Sequence, residues 1–208
     1  MELTSREEES IERFWIWFDD NKSVYNHIDE ENRDELMDDL VTRLHKIQGD
    51  LSAEISNEIK GVRDLTISAE GDENKFPIVQ RIVHAAPKIK GWTVIAFRQP
   101  IDFDFTLAYD SIKFETAEMY FSPVVENDTL DLIIYARGIS KHDSDLVNNY
   151  GLTTMDGVLG EYDCVTKVRY FDFHDLDNEQ DKSDLRPLRD LRAFVDSFHK
   201  QEKSRLRH

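Results

Sequence analysis

Near the start of the chain, apolar residues recur at helical spacing. Ile11, Phe14, Trp15 and Phe18 fall at i, i+3, i+4 and i+7, which places them on one helix face. Ser5 and Glu8 ahead of them form an S-x-x-E capping box, and Asp19-Asp20-Asn21-Lys22 breaks the pattern. A second helix is predicted from about Asp29, which can cap it. The acidic Glu30, Glu31, Asp34 and Glu35 favour its positive end. Leu36, Leu40, Leu44 and Ile47 make its apolar stripe, widened by Met37 and Val41, and Gly49 is the expected C-terminal cap. Residues 1–50 therefore read as a helical hairpin laid against something else.

The period then changes to two. Leu51, Ala53 and Ile55 alternate with polar neighbours, as do Leu65, Ile67 and Ala69, and the Lys60-Gly61 turn between them completes a β-hairpin with one buried face. A short helix follows, with Phe76, Val79, Ile82, Val83 and Ala86 on one face. Pro77 is tolerated in its first turn, and Pro87 stops it. Trp92–Phe97 is almost wholly apolar, which predicts a central strand covered on both faces.

Phe103, Phe105, Leu107 and Tyr109 alternate in turn. The clearest hairpin runs out along Tyr120–Glu126, turns at Asn127-Asp128 and returns along Leu130–Arg137, with Pro123 marking an edge or a bulge. Residues 146–159 are predicted helical, with Ser144 as cap and Gly160 past the end, although Gly151 and Gly157 weaken the pattern. A strand over Val165–His174 and a polar loop over Asp177–Asp184 precede a last helix. Its stripe is Leu188, Leu191, Val195 and Phe198, with Pro187 in the first turn. The order ααββαββββαβα predicts an α+β fold: a mainly antiparallel twisted sheet with an N-terminal helical hairpin and further helices packed on it. No composition break appears, so the expectation is one domain over 1–208: a helical hairpin at 1–50, mainly sheet with two helices at 51–175, and a C-terminal helix at 186–200.

Composition narrows the class of protein. Twelve Phe, seven Tyr and three Trp in 208 residues exclude a disordered acidic chain. Against 26 Lys+Arg stand 43 Asp+Glu, for a net charge of −17, which disfavours nucleic acid and anionic membrane as partners. The charge is uneven. Residues 1–60 hold 17 acids and 7 bases, whereas residues 186–208 hold 3 acids and 7 bases, among them Arg186, Arg189, Arg192, Lys200, Lys203, Arg205 and Arg207. Met1–Ser10 has no basic or apolar leader pattern, and no apolar run exceeds five residues, far short of the ~20 that cross a bilayer. The only cysteine, Cys164, reads as a buried thiol. A cytoplasmic location is expected.

Two stretches have the look of family markers. One is Ile67-Ser-Ala-Glu-Gly-Asp, Phe76-Pro77, Ala85-Ala86-Pro87 and Gly91-Trp92-Thr-Val-Ile-Ala-Phe-Arg98, and the other is Leu159-Gly160-Glu161-Tyr162-Asp163. Together with Phe14–Phe18 they resemble a group of bacterial proteins of unknown function. The resemblance implies a shared fold and brings no activity, cofactor or catalytic residue with it.

Motifs for chemistry are mostly missing: there is no G-x-G-x-x-G, Walker A, H-E-x-x-H, C-x-x-C or G-x-S-x-G. No cofactor is expected. His142-Asp143, with His84 upstream and His174 downstream, offers nitrogen and oxygen donors of the kind that hold a divalent metal. The alternative is an Asp/Ser-rich turn and helix cap. Glu161 and Asp163, two apart on the expected strand, would face one side as a general acid/base pair. The alternative there is a connection held by carboxylate hydrogen bonds. Trp17 lies off the buried face of its helix, which suits a partner contact or a second buried layer, and Arg98 suits either an anionic ligand or an internal ion pair. The favoured expectation is a non-enzymatic binding protein whose acidic surface meets a basic protein partner. The alternative is a metal-dependent hydrolase built on His142 and Asp143.

Overall fold

In the computed structural model, residues 5–109 and 111–205 are described. The side chains of Ser5 (half of the expected capping box), Lys203 and Arg205, and all of Arg207, lie outside the described residues. The chain forms two compact units, Met1–Arg98 and Gln99–His208, the first with one sheet and the second with two among the described residues. The fold class is α+β. No helix among the described residues is long and apolar enough to cross a membrane.

The first unit begins with the predicted helical pair. Helix α1 spans Ser5–Tyr25 and buries Ile11, Phe14, Trp15 and Phe18. It continues through Asp19–Lys22, where a break was expected. Asn21 donates to the Trp17 carbonyl at 2.7 Å, and Tyr25, one heptad after Phe18, is buried with its ring 5.6 Å from that of Phe18. The apolar repeat thus extends a further two turns beneath a polar surface. Helix α2 is Arg33–Leu44, with Leu40 and Leu44 fully buried. Asp29 does not cap it directly. Its Oδ1 accepts from the Glu31 and Asn32 N–H groups at 3.0 and 3.1 Å in a turn that leads into the helix. The helix ends at Leu44, well before Gly49, and the His45 imidazole reaches the Leu51 carbonyl at 2.9 Å.

Strands β1 (Ser52–Ile55) and β2 (Arg63–Ser68) form the predicted hairpin, with Ala53 opposite Ile67 and Ile55 opposite Leu65. Helix α3, Phe76–His84, then carries the chain over to β3, Trp92–Ala96, which pairs with β2 in parallel. The sheet order β1-β2-β3 makes β2 the centre and β3 an edge. The expected central strand is therefore corrected: Trp92 is buried, but Val94, Ile95 and Ala96 are only partly covered. Apolar composition reports that a strand is covered, not how many neighbours it has. Trp92 anchors this edge, with its ring 5.1 Å from Phe18 and its indole N–H donating to Asn26 at 2.9 Å.

In the second unit, β4 (Thr106–Tyr109) and β5 (Ile112–Glu115) make a separate antiparallel pair. The alternation seen from Phe103 does not bury that residue, which is 74% exposed ahead of the strand. Strands β6 (Tyr120–Glu126) and β7 (Thr129–Ala136) are the predicted hairpin. Asn127 and Asp128 both take positive φ, 47° and 65°, as a two-residue turn matched to strand twist requires. Strand β8 (Tyr170–Asp175) lies parallel to β7, and β9 (Arg186–Pro187) pairs with β6 at Tyr120 and Phe121 only. Pro123 stands beyond that short pairing, on the open part of the β6 edge. Pro187 belongs to β9, so the last helix, α6, starts later, at Leu191, and runs to Arg205. Leu188, Leu191 and Val195 are buried in its core, as the stripe predicts.

The segment after Leu159 departs most from expectation. Helix α4, Ser144–Leu159, is followed by a second helix, α5, Glu161–Lys167, where the start of a strand was predicted. Glu161, Cys164 and Val168 are the buried positions, a helical spacing that the β-branched Val165-Thr166 pair obscures. Gly160, at φ 87°, turns the chain between the two helices.

The two glycines inside α4 have a packing reason. A Cβ on Gly151 would lie 2.5 Å from the Phe173 ring, and one on Gly157 would lie 2.5 Å from the Phe105 ring. Both aromatic rings rest on bare helix backbone. Gly151→Ala should therefore lower stability by about 1–3 kcal/mol through overpacking, although alanine is the better helix former by ~1 kcal/mol. Urea unfolding of the variant checks this, and an unchanged or raised midpoint would show that Phe173 moves aside freely.

Candidate functional site

The residues singled out in the sequence fall into separate places. Glu161 and Asp163 sit on the first turn of α5, not on a strand. Residues two apart on a helix do not face each other, so the strand placement expected for the pair is corrected. Glu161 is completely buried, while Asp163 reaches Lys167 at 2.7 Å, and Lys167 reaches Asp196 at 2.8 Å. Cys164 is buried beside them. Burial, reinforced by Asp156, pushes its thiol pKa far up and away from thiolate chemistry.

Asp143 is the N-cap of α4, accepting from the N–H groups of Asp145 and Leu146 at 3.0 and 3.3 Å. The cap is thus Asp143 in place of the expected Ser144. His142 and His174 do line one cavity of about 540 Å³ in the second unit, whereas His84 ends α3 in the first. Within that cavity His174 Nε2 lies 2.9 Å from Asp172. Asp175 accepts from the N–H groups of Gly138 and Ser140 in the loop after β7, from that of Asp177 just after its own strand, all at 2.9–3.0 Å, and from the Ser140 hydroxyl at 2.5 Å. Among the described residues, no group of three or more His, Cys, Asp or Glu is placed to hold a metal ion.

Trp17 and Arg98 are both engaged inside the first unit. Trp17 is half-buried between Phe14, Phe18 and Tyr25, and the Arg43 guanidinium from α2 stacks 4.7 Å over its ring. Arg98 pairs with Glu54 and Glu70 and lies 3.3 Å from the Ser52 hydroxyl. Burial would raise the Glu70 pKa, but the hydrogen bonds from Arg98 and Ser52 outweigh it and hold the carboxyl below its ordinary value.

A different feature emerges from the fold. In the first unit, α1 and the end of α3 border a groove of about 600 Å³. Its floor includes Ile11 and Trp15, and Ala85 and Pro87 lie on the α3 side. Ile16 on α1 is 57% exposed there, flanked along the same helix by Glu8, Glu12 and Asp19. Arg81 and His84 stand on the α3 side. The Trp15 indole N–H donates to the Ile82 carbonyl at 2.8 Å and closes the bottom. The helical stripe of α1 pointed to its buried face only. Ile16, lying off that stripe, was the one available signal for this groove.

No family model, curated protein or solved structure matches the chain.

The hydrogen bonds to Asp175 generate a pH dependence. Burial alone would raise its pKa, but the donors from Ser140, Asp177 and Gly138 more than offset this and bring it down to about 2. A carboxyl depressed on folding contributes stability above its unfolded pKa of 3.8 and loses it as pH falls towards 2. Asp175→Asn should cost about 1–2 kcal/mol at pH 6 after allowance for solvent screening, and the gap from wild type should close near pH 2. Denaturant titrations at both pH values test this; a gap independent of pH would mean that shape, not charge, holds the loop.

Proposed function

We propose that this chain is a binding protein, not an enzyme, and that its acidic surface receives a basic protein partner. The observation that carries the reading is the charge surplus, 43 acids against 26 bases, combined with an exposed apolar side chain set among acids at Ile16. Surplus charge of one sign steers an oppositely charged partner and selects against like-charged ones. The groups first considered for catalysis are occupied: Asp143 caps a helix, Asp163 pairs with Lys167, and Asp175 accepts four hydrogen bonds. The one cysteine is buried and forms no disulfide, which suits a reducing compartment such as the cytoplasm. Capture from native lysate should retain a basic protein at roughly 0.05 M salt and release it by roughly 0.5 M, where the Debye length has shrunk to a few ångströms. Retention that is indifferent to salt, or no partner at all, would sink the reading.

A second reading, a metal-dependent hydrolase, draws on one observation: His142 and His174 share a cavity. It requires that Mn²⁺, Mg²⁺ or Zn²⁺ raise the melting temperature and that His142→Ala abolish the shift. The binding reading expects no such shift.

A further inference from the structure

We infer that the groove between α1 and α3 is the docking site, and that its occupant is an amphipathic helix with apolar anchors along one face and lysine or arginine on the flank next to α1. This rests on the binding reading above and names the place and the chemistry of the partner. The two sides of the groove differ in charge. The α1 side carries Glu8 and Glu12, with Asp19 already paired to Lys22, and the α3 side carries Arg81 and His84. A bound segment is therefore oriented, with its cations towards α1.

The apolar strip fits this occupant as well. Ile16 is 57% exposed at the middle of a 21-residue helix whose other large apolar side chains on the groove, Ile11 and Trp15, are buried. An aliphatic side chain left in water loses what burial would yield, about 1.5–3 kcal/mol for full coverage. From Glu8 to Asp19 the lining covers about 16 Å of helix axis at 1.5 Å per residue, or three turns. Anchors at i, i+3 or i+4, and i+7 on a helix of matching length meet that strip, the usual arrangement for a helix in a groove. Trp15 keeps the floor rigid, because its indole is tied to the Ile82 carbonyl and cannot swing into the space.

The test uses the full chain and two fluorescent synthetic peptides of about fourteen residues. One is an amphipathic Leu/Lys helix and the other is its Leu/Glu counterpart. Fluorescence anisotropy should show binding of the Leu/Lys peptide, weakened at least about tenfold between roughly 0.05 and 0.5 M salt, and no binding of the Leu/Glu peptide. Ile16→Glu should weaken binding at least about tenfold, as a charge placed in an apolar contact does. Because Ile16 is exposed, the fold should tolerate the change, and far-UV circular dichroism verifies that. Glu8→Lys with Glu12→Lys should also abolish binding. Glu30→Lys with Glu31→Lys changes the net charge equally, at exposed residues that do not line the groove, and should leave binding near wild type. Equal loss in both double variants, or binding unaffected by Ile16→Glu, overturns the groove while leaving a generally acidic binding surface intact. No binding of the Leu/Lys peptide also overturns the groove. The broader reading fails separately, when no salt-sensitive basic partner is captured from lysate.

Discussion

Trp15 lies buried on α1 and gives its indole N–H to the carbonyl of Ile82, one of the last-turn carbonyls of α3. A helix end leaves such carbonyls without intrahelical partners. Arg81 and Val83 find theirs in the N–H groups of Ala85 and Ala86, and Ile82 finds its partner in a different helix. One bond thus completes the end of α3, satisfies the only polar atom of a large buried ring, and sets where α1 stands against α3. The aromatic packing continues from there, through Phe14 and Phe18 to Trp92 on the sheet. The groove between the two helices exists because this contact holds their lower edges together while Ile16 and the acids of α1 point outward.

Charge plays a different part from packing. Several of the engaged bases serve two acids each: Arg98 holds Glu54 and Glu70, Arg169 holds Asp131 and Glu126, and Lys167 holds Asp163 and Asp196. These pairs are partly exposed, and such pairs contribute only ~0–1 kcal/mol each. The remaining acids repel one another and oppose compaction. A surplus of this size does little for the stability of the fold.

Much of the architecture was legible in the chain. The stripe Ile11, Phe14, Trp15 and Phe18, the alternation from Leu51 to Ala69, and the Asn127-Asp128 turn each declare their element through local stereochemistry. Asp143 and the glycines of α4 show the limit of this reading. A cap was visible near Ser144, but the neighbouring Asp143 carboxylate is the group that accepts the N–H groups. Gly151 and Gly157 looked like weaknesses in a helix until Phe173 and Phe105 were seen resting on them. Residues 161–167 misled because Val165 and Thr166 favour strands locally, while burial of Glu161, Cys164 and Val168 favours a helix.

The order of polar and apolar residues by itself determined most of the helices and strands and the face that each buries, residues 161–167 apart, because both periodicities follow from backbone geometry. It also determined the charge surplus, which is a matter of counting. Only the tertiary structure decided that β3 is an edge strand beside β2 and that His142 and His174 share a cavity. It alone left Ile16 exposed between Glu12 and Asp19 at the margin of a groove. Those relations join residues far apart in sequence, through packing that no local pattern encodes.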